Sequence, residues 1–149
     1  MSFALRMGLA GWRVMQEAGF LAVSWAVGRV FPLPGLPVTG LVLAGVGLAL
    51  MLAAAGQMVL ARTTFVPRRV PGAMVSRGLF AMTRNPIYLG DALILAGMSL
   101  FWNGLLALPL VAVFVHVIRK RFIEGEETVL RQRFGPDFDA YCARVRRWI

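Results

Sequence analysis

Charge is what this sequence has least of. Only 15% of its 149 residues are Asp, Glu, Lys or Arg, while 58% are apolar and the mean hydropathy is +0.70. A soluble domain carries about 25% charged residues, so the shortage excludes a disordered chain and argues against a soluble globule. Cysteine is scarcer still: Cys142 stands alone, so no intrachain disulfide can form. With His116 the single histidine, no Cys/His metal cluster exists either. Acidic residues number 7 against 16 basic ones, a formal charge of +9. Lys120 is the single lysine and the other basic residues are Arg, a bias that suggests a GC-rich bacterial genome. Nucleic acid is a poor partner for this basicity. The basic groups accompany long uncharged stretches and are interleaved with acids, so a membrane surface fits them better.

What the chain does have is long apolar runs. Val38 to Leu60 is 23 residues in which only Thr39 and Gln57 are polar. At roughly 1.5 Å per residue it reaches about 34 Å, enough to cross a hydrocarbon core. An earlier run covers 14–31, interrupted by Gln16, Glu17 and Arg29, and is expected to be a retained helix rather than a signal peptide. Pro32, Pro34, Gly35 and Pro37 connect the two. The second half holds two shorter runs, 87–102 with Asp91 as its one charge, and a last one beginning at residue 104. Asn103-Gly104 marks a turn between them, and continuing the last run to Ile123 gives it full length.

Charge placement fixes the count. With four spans, 15 of the 16 basic groups fall on one side, leaving only Arg29 opposite. The positive-inside rule then puts both termini and the central loop in the cytoplasm. The expected fold is therefore all-α: one integral membrane domain, 1–149, in a bacterial inner membrane. Its four transmembrane helices lie at about 14–31, 38–60, 87–102 and 104–123, the last two as a hairpin. A cytoplasmic interfacial tail follows over 124–149. In it Ile123, Leu130 and Phe134 share a helical face, Gly135-Pro136 ends that helix, and Phe138, Tyr141, Val145 and Trp148 recur at helical spacing. That amphipathic pattern suits a helix lying on an anionic leaflet or packing back on the core.

Two polar clusters bracket the hairpin. The first runs from Ser76 to Asp91. Pro86 biases Asn85 to an extended conformation and can open a helix, so Asn85 is placed to cap it and Tyr88 to lie one turn inside. A plain membrane-entry cap with an interfacial tyrosine accounts for this much. The second cluster is His116, Arg119, Lys120, Arg121, Glu124, Glu126 and Glu127 on one predicted helix. Lys120 with Glu124 and Glu127 with Arg131 are i,i+4 pairs, which a solvated charged face would also show. His116 and Asp91 lie within apolar segments, where ionisable groups point to function, although a backbone-bonded His is an equal reading. Glu126 and Glu127 project about 100° apart, so they cannot both grip one group.

Asn85-Pro86-Ile87-Tyr88-Leu89-Gly90, an apolar hairpin, then Glu126-Glu127, Leu130, Phe134-Gly135, Tyr141 and Val145 together resemble the membrane methyltransferases. That group includes the isoprenylcysteine carboxyl methyltransferases and the phospholipid N-methyltransferases. The resemblance covers residues 75–149 and rests on two motifs in order. It implies S-adenosylmethionine as cofactor, held by Arg84, Pro86, Tyr88, Glu126 and Glu127, with Gly78 where backbone approaches it. Asn85 stands where the carboxyl methyltransferases carry His, and an Asn-Pro-x-Tyr version is similar to that of the phospholipid enzymes. Gly45-Val46-Gly47 is similar to a glycine motif of the phospholipid enzymes, and is read here as packing.

The cofactor carries an ammonium, a carboxylate, a sulfonium and an adenine. Glu can meet the ammonium, and Arg84 or His116 the carboxylate. Methyl transfer needs alignment and exclusion of water. An amine acceptor must be neutral to attack, so Asp91 or Glu124 is a candidate to take its proton, beside Asn85 in the reaction centre. A carboxylate acceptor needs no base. The expected function is thus methyl transfer, to carboxyl oxygen or amine nitrogen, on a lipid-like or membrane-embedded acceptor. The competing reading is a non-catalytic helical subunit or scaffold whose charged clusters anchor it. Acceptor identity and oligomeric state stay open at this level.

Overall fold

A computed structural model describes residues 3–30, 36–62, 74–102 and 105–149, with side chains from residue 14 onward. The described residues form helices joined by short non-helical segments, without strands. Helix α1 is Phe3–Val30, α2 Pro37–Leu60, α3 Pro86–Phe101, α4 Leu108–Ile118, α5 Glu124–Phe134 and α6 Pro136–Arg144. Short 3₁₀ turns cover Gly78–Ala81 and Leu105–Ala107, and a π-turn over Arg119–Ile123 joins α4 to α5. Proline recurs as the starting device: α2, α3, α4 and α6 each carry one in their first two positions. Its missing N–H costs nothing there and its φ is already helical.

The expected all-helical class stands, with corrections to its boundaries. The first helix begins well before residue 14. As expected, helix runs on past Ile123 to Phe134, where Gly135 at φ +49° stops it and Pro136 opens α6, although a π-turn interrupts its α geometry at 119–123. Asn85 is the N-cap residue of α3 by position, but its side chain makes no capping bond. The expected links at residues 32–35 and at Asn103-Gly104 lie outside the described residues. Among the described residues one helix, Pro37–Leu60, is long and apolar enough to cross a membrane. Its 24 residues make roughly 36 Å.

Helices α2 and α3 pack along their length, and α1 lies against α3 and α4. The α2–α3 crossing is built on glycine. A Cβ on Gly40 would lie 2.5 Å from the Gly97 oxygen, and one on Gly47 2.6 Å from the Gly90 oxygen. Each glycine pair is seven residues apart on its own helix, the spacing at which one seam keeps facing its neighbour. Gly45 has nothing within 4 Å of its would-be Cβ, so of the Gly45-Val46-Gly47 motif only Gly47 is at the packing seam. Ser24 and Ser99, both buried, tie α1 to α3 through a 3.1 Å hydroxyl contact.

Two apolar cores result. The main one gathers Tyr88, Ala92 and Leu95 of α3, Phe114 and Ile118 of α4, and Phe122 and Ile123 of the π-turn, with Phe20 set edge-on to Phe114. The second lies in the tail, where Phe138, Tyr141 and Val145 pack on Met74, Leu130 and Phe134. Of the two arrangements open for the tail, this face packs back onto the protein. The Tyr141 hydroxyl donates to the Phe80 carbonyl at 2.6 Å, fastening α6 to the loop ahead of α3.

Candidate functional site

The loop before α3 is shaped by Gly78 and Gln57. Gly78 takes φ +59°, and a Cβ there would meet the Gln57 side chain at 2.6 Å. Gln57, near the end of α2, accepts the Leu79 N–H at 3.2 Å. A glycine is needed because left-handed backbone and close approach coincide. The loop is thereby pinned to α2, and Pro86 turns it into α3. Tyr88, 5% exposed, then points at α5, where its hydroxyl donates to Glu126 Oε1 at 2.7 Å.

Arg84 enters the same region from the loop side. One guanidinium nitrogen lies 3.5 Å from Glu127 Oε1 and another contacts the Cys142 thiol. Arg84 Nε is buried with no hydrogen-bond partner. Glu127 is 9% exposed, and Arg147 forks onto it with Nε to Oε1 at 2.9 Å and a terminal nitrogen to Oε2 at 2.7 Å. Two arginines on one carboxylate leave the group with one net positive charge. Hydrogen bonding to Glu127 raises the Arg147 pKa from its ordinary value, so Arg147 keeps its charge.

The two sequence motifs, 36 and more residues apart, therefore meet. Tyr88 reaches Glu126 and Arg84 reaches Glu127. Asn85 turns its side-chain amide to the Arg147 carbonyl at 2.9 Å instead of capping α3. Asp91, 7% exposed, lies nearly one turn deeper on α3. It lines a cavity of about 110 Å³ with Glu17, Phe20, Leu21, Met51, Ile94, Leu95 and Phe114.

His116 and Glu124 are not brought to this cluster. His116 is exposed on α4. Eleven residues apart on a continuous α-helix, His116 and Glu127 would be only about 20° out of line. The π-turn at 119–123 accommodates an extra residue, which swings everything after it by up to about 100°. Glu124 faces outward to Arg119 at 3.1 Å and Lys120 at 3.3 Å, the latter the expected i,i+4 pair. Desolvation pushes the Glu124 pKa up, but the hydrogen bonds from Lys120 and Arg119 outweigh it and leave the pKa below the ordinary value. The expected Glu127–Arg131 pairing is replaced: Arg131 bonds Asp139 at 2.9 Å, while Glu127 turns inward to Arg84 and Arg147.

Sequence reasoning missed Arg147 and Gln57. Arg147 lies among Arg144 and Arg146, which look alike in sequence; nothing there separates the inward-facing one. Gln57 was visible as one of two polar residues in an apolar run, a signal that could have been followed.

The family model for "Phospholipid methyltransferase" matches residues 36–137. An "Uncharacterized protein" of Haemophilus influenzae is 38% identical over 63 residues, covering 42% of this chain and 100% of that protein. No solved structure matches.

Proposed function

Because this chain belongs to the phospholipid methyltransferase family, we propose that it transfers a methyl group from S-adenosylmethionine to a lipid-like acceptor held in a membrane. The observation that carries the reading is the junction of the two motifs, with Tyr88 bonded to Glu126 and Arg84 facing Glu127. The residues suit the cofactor. Arg84 has a buried, unpartnered Nε that an anionic group would satisfy, and Glu126 beside the Tyr88 hydroxyl suits an ammonium. Pro86 and Gly78 shape the wall on which they stand. When bound, the cofactor supplies an electrophilic methyl group on a sulfonium.

The cavity beside Asp91 is well under the roughly 300 Å³ of a pocket that holds a whole drug-sized ligand. It suits the acceptor's reacting headgroup instead. Its two carboxylates, Glu17 and Asp91, would repel a carboxylate acceptor and favour an amine, so amine N-methylation is the better-supported reaction. Asp91 would take the proton that an amine must lose before its lone pair attacks. Glu124 and His116, set outside the cluster, have no part in this scheme, and Asn85 supports the loop. A four-span arrangement with cytoplasmic termini, supported by the distribution of basic residues, would set the cofactor face toward the cytoplasm and the acceptor's entry toward the bilayer.

Equilibrium dialysis of radiolabelled S-adenosylmethionine against detergent-purified protein tests the reading. Binding should occur, and Tyr88→Phe and Glu126→Gln should each weaken it by about tenfold, the loss typical of one charge-assisted hydrogen bond. A folded protein that binds no cofactor would leave the scaffold role in its place. Lipid extracts from cells with and without the gene should differ by species one methylene heavier.

A further inference from the structure

Residues 145–148 run back across the loop that carries Arg84. The Arg84 N–H donates to the Arg146 carbonyl at 3.0 Å. The Thr83 hydroxyl and the Asn85 amide both donate to the Arg147 carbonyl, at 3.2 and 2.9 Å. Three successive loop residues are thus bound to two successive residues of this strap. Its ends are fixed too: Val145 is buried with Phe138 and Tyr141, and Trp148 packs against the core around Tyr88. Arg147 therefore projects from backbone held on both sides, and its side chain forks onto both oxygens of Glu127.

We propose that Arg147 is a positioning residue for the cofactor's carboxylate end, acting through Glu127, and that the two glutamates divide the work. This rests on the methyltransferase reading above. Glu127 is the internal counter-ion that holds Arg147 and Arg84 together; Glu126 is the acid that meets the ligand's ammonium. Charge decides between them. Arg84, Arg147 and Glu127 sum to one positive charge, so a ligand ammonium is repelled there and a ligand carboxylate attracted. The forked geometry occupies both oxygens of Glu127 with rigid planar donors. Glu126 accepts the hydroxyl of Tyr88.

The anchored strap argues against the opposite role, a latch that competes with the ligand for Glu127. A latch has to leave, and this one would break three hydrogen bonds to residues 83–85 and pull Val145 and Trp148 from two cores.

The test compares S-adenosylmethionine with decarboxylated S-adenosylmethionine by equilibrium dialysis on the full chain in detergent. The parent should prefer the carboxylated form. Arg147→Ala should weaken binding of that form by about tenfold, the usual loss when a partner that orients a ligand-binding group is removed. It should leave the decarboxylated form nearly unchanged, so the preference collapses. Arg147→Lys, which keeps the charge, should retain part of the preference, and Glu126→Gln should weaken both forms alike. Tighter binding by Arg147→Ala would show a competing latch and overturn the proposal. So would a preference that Arg147→Ala leaves intact, since a purely structural loss weakens both forms equally. Binding of neither form by the parent would overturn the methyltransferase reading itself, an outcome distinct from the other two.

Discussion

Gly90→Ala probes whether the α2–α3 crossing sets the geometry of the site. A Cβ at residue 90 would lie 2.6 Å from the Gly47 carbonyl oxygen, whereas ordinary contact begins at 3.4 Å. The helices must part locally by the difference, about 0.8 Å, because the blocking atom belongs to helix backbone and cannot rotate away. Overpacking of this kind costs about 1–3 kcal/mol, and alanine's better helix propensity returns up to about 1 kcal/mol. With the full return, a net loss of up to about 2 kcal/mol follows from those two figures. Tyr88 is about 200° round the helix from Gly90, so moving α3 off α2 drives the Tyr88 ring toward α5. A bond of 2.7 Å to Glu126 cannot absorb a shift of that size. Thermal denaturation in detergent should therefore show lower stability, and dialysis should show weaker cofactor binding. Two comparisons isolate the cause. Gly97→Ala meets the same obstruction, 2.5 Å from Ala44 N and the Gly40 oxygen, but about 14 Å along α3 from Tyr88. It should destabilise with less effect on binding. Gly45→Ala has open space around it and should do neither. If Gly90→Ala melts like Gly45→Ala, the crossing does not constrain the site and the reasoning fails.

Other outcomes follow from the same contacts. Gly78→Ala should cost about 1–2 kcal/mol for the left-handed backbone alone, and slower amide exchange at Leu79 should be lost with its bond to Gln57. Phe138, 1% exposed in the tail core, should cost about 3–5 kcal/mol on truncation to Ala, seen as faster hydrogen exchange throughout α6. Burial pushes the Tyr141 pKa up from 10 to about 12. A raised tyrosine pKa stabilises the fold fully below pH 10 and ceases to as pH climbs through about 12. In Tyr88→Phe, where Tyr141 is the remaining tyrosine, tyrosinate absorbance should appear only near that upper value. Removing the exposed Arg131–Asp139 pair should leave the melting temperature unchanged, because exposed pairs contribute little.

Much of this arrangement could be read from the residues alone. Pro37 and Pro86 announced the starts of α2 and α3, and Gly135-Pro136 the break before α6, because proline and glycine act through local backbone geometry. The facing of Tyr88 toward the glutamate pair followed from two motifs in order. Features set by surplus or register were not legible. The π-turn at 119–123 has no local signature in Arg-Lys-Arg-Phe-Ile, yet it turns His116 out of line with Glu127. Asn85 looked like a helix cap, and its amide instead found a carbonyl 62 residues away. Arg147 and Glu127 pair across 20 residues, a distance at which charge patterning names candidates without choosing among them.

The seam on α2 carries a lesson about mutability. Of its 24 residues only Gly40, Gly47 and Ala54 are buried, all on one line seven residues apart. Bulk added at Gly40 or Gly47 collides with α3, Ala44 and Met51 touch α3 beside them, and the exposed positions of the helix face away from the protein. A saturation library over Pro37–Leu60 should therefore accept almost any apolar side chain at the exposed positions, be intolerant of size at those three, and resist change at Ala44, Met51 and Gln57. An engineer wishing to retune how this helix meets its environment, by stiffness or a fluorescent probe, has its exposed face to work with.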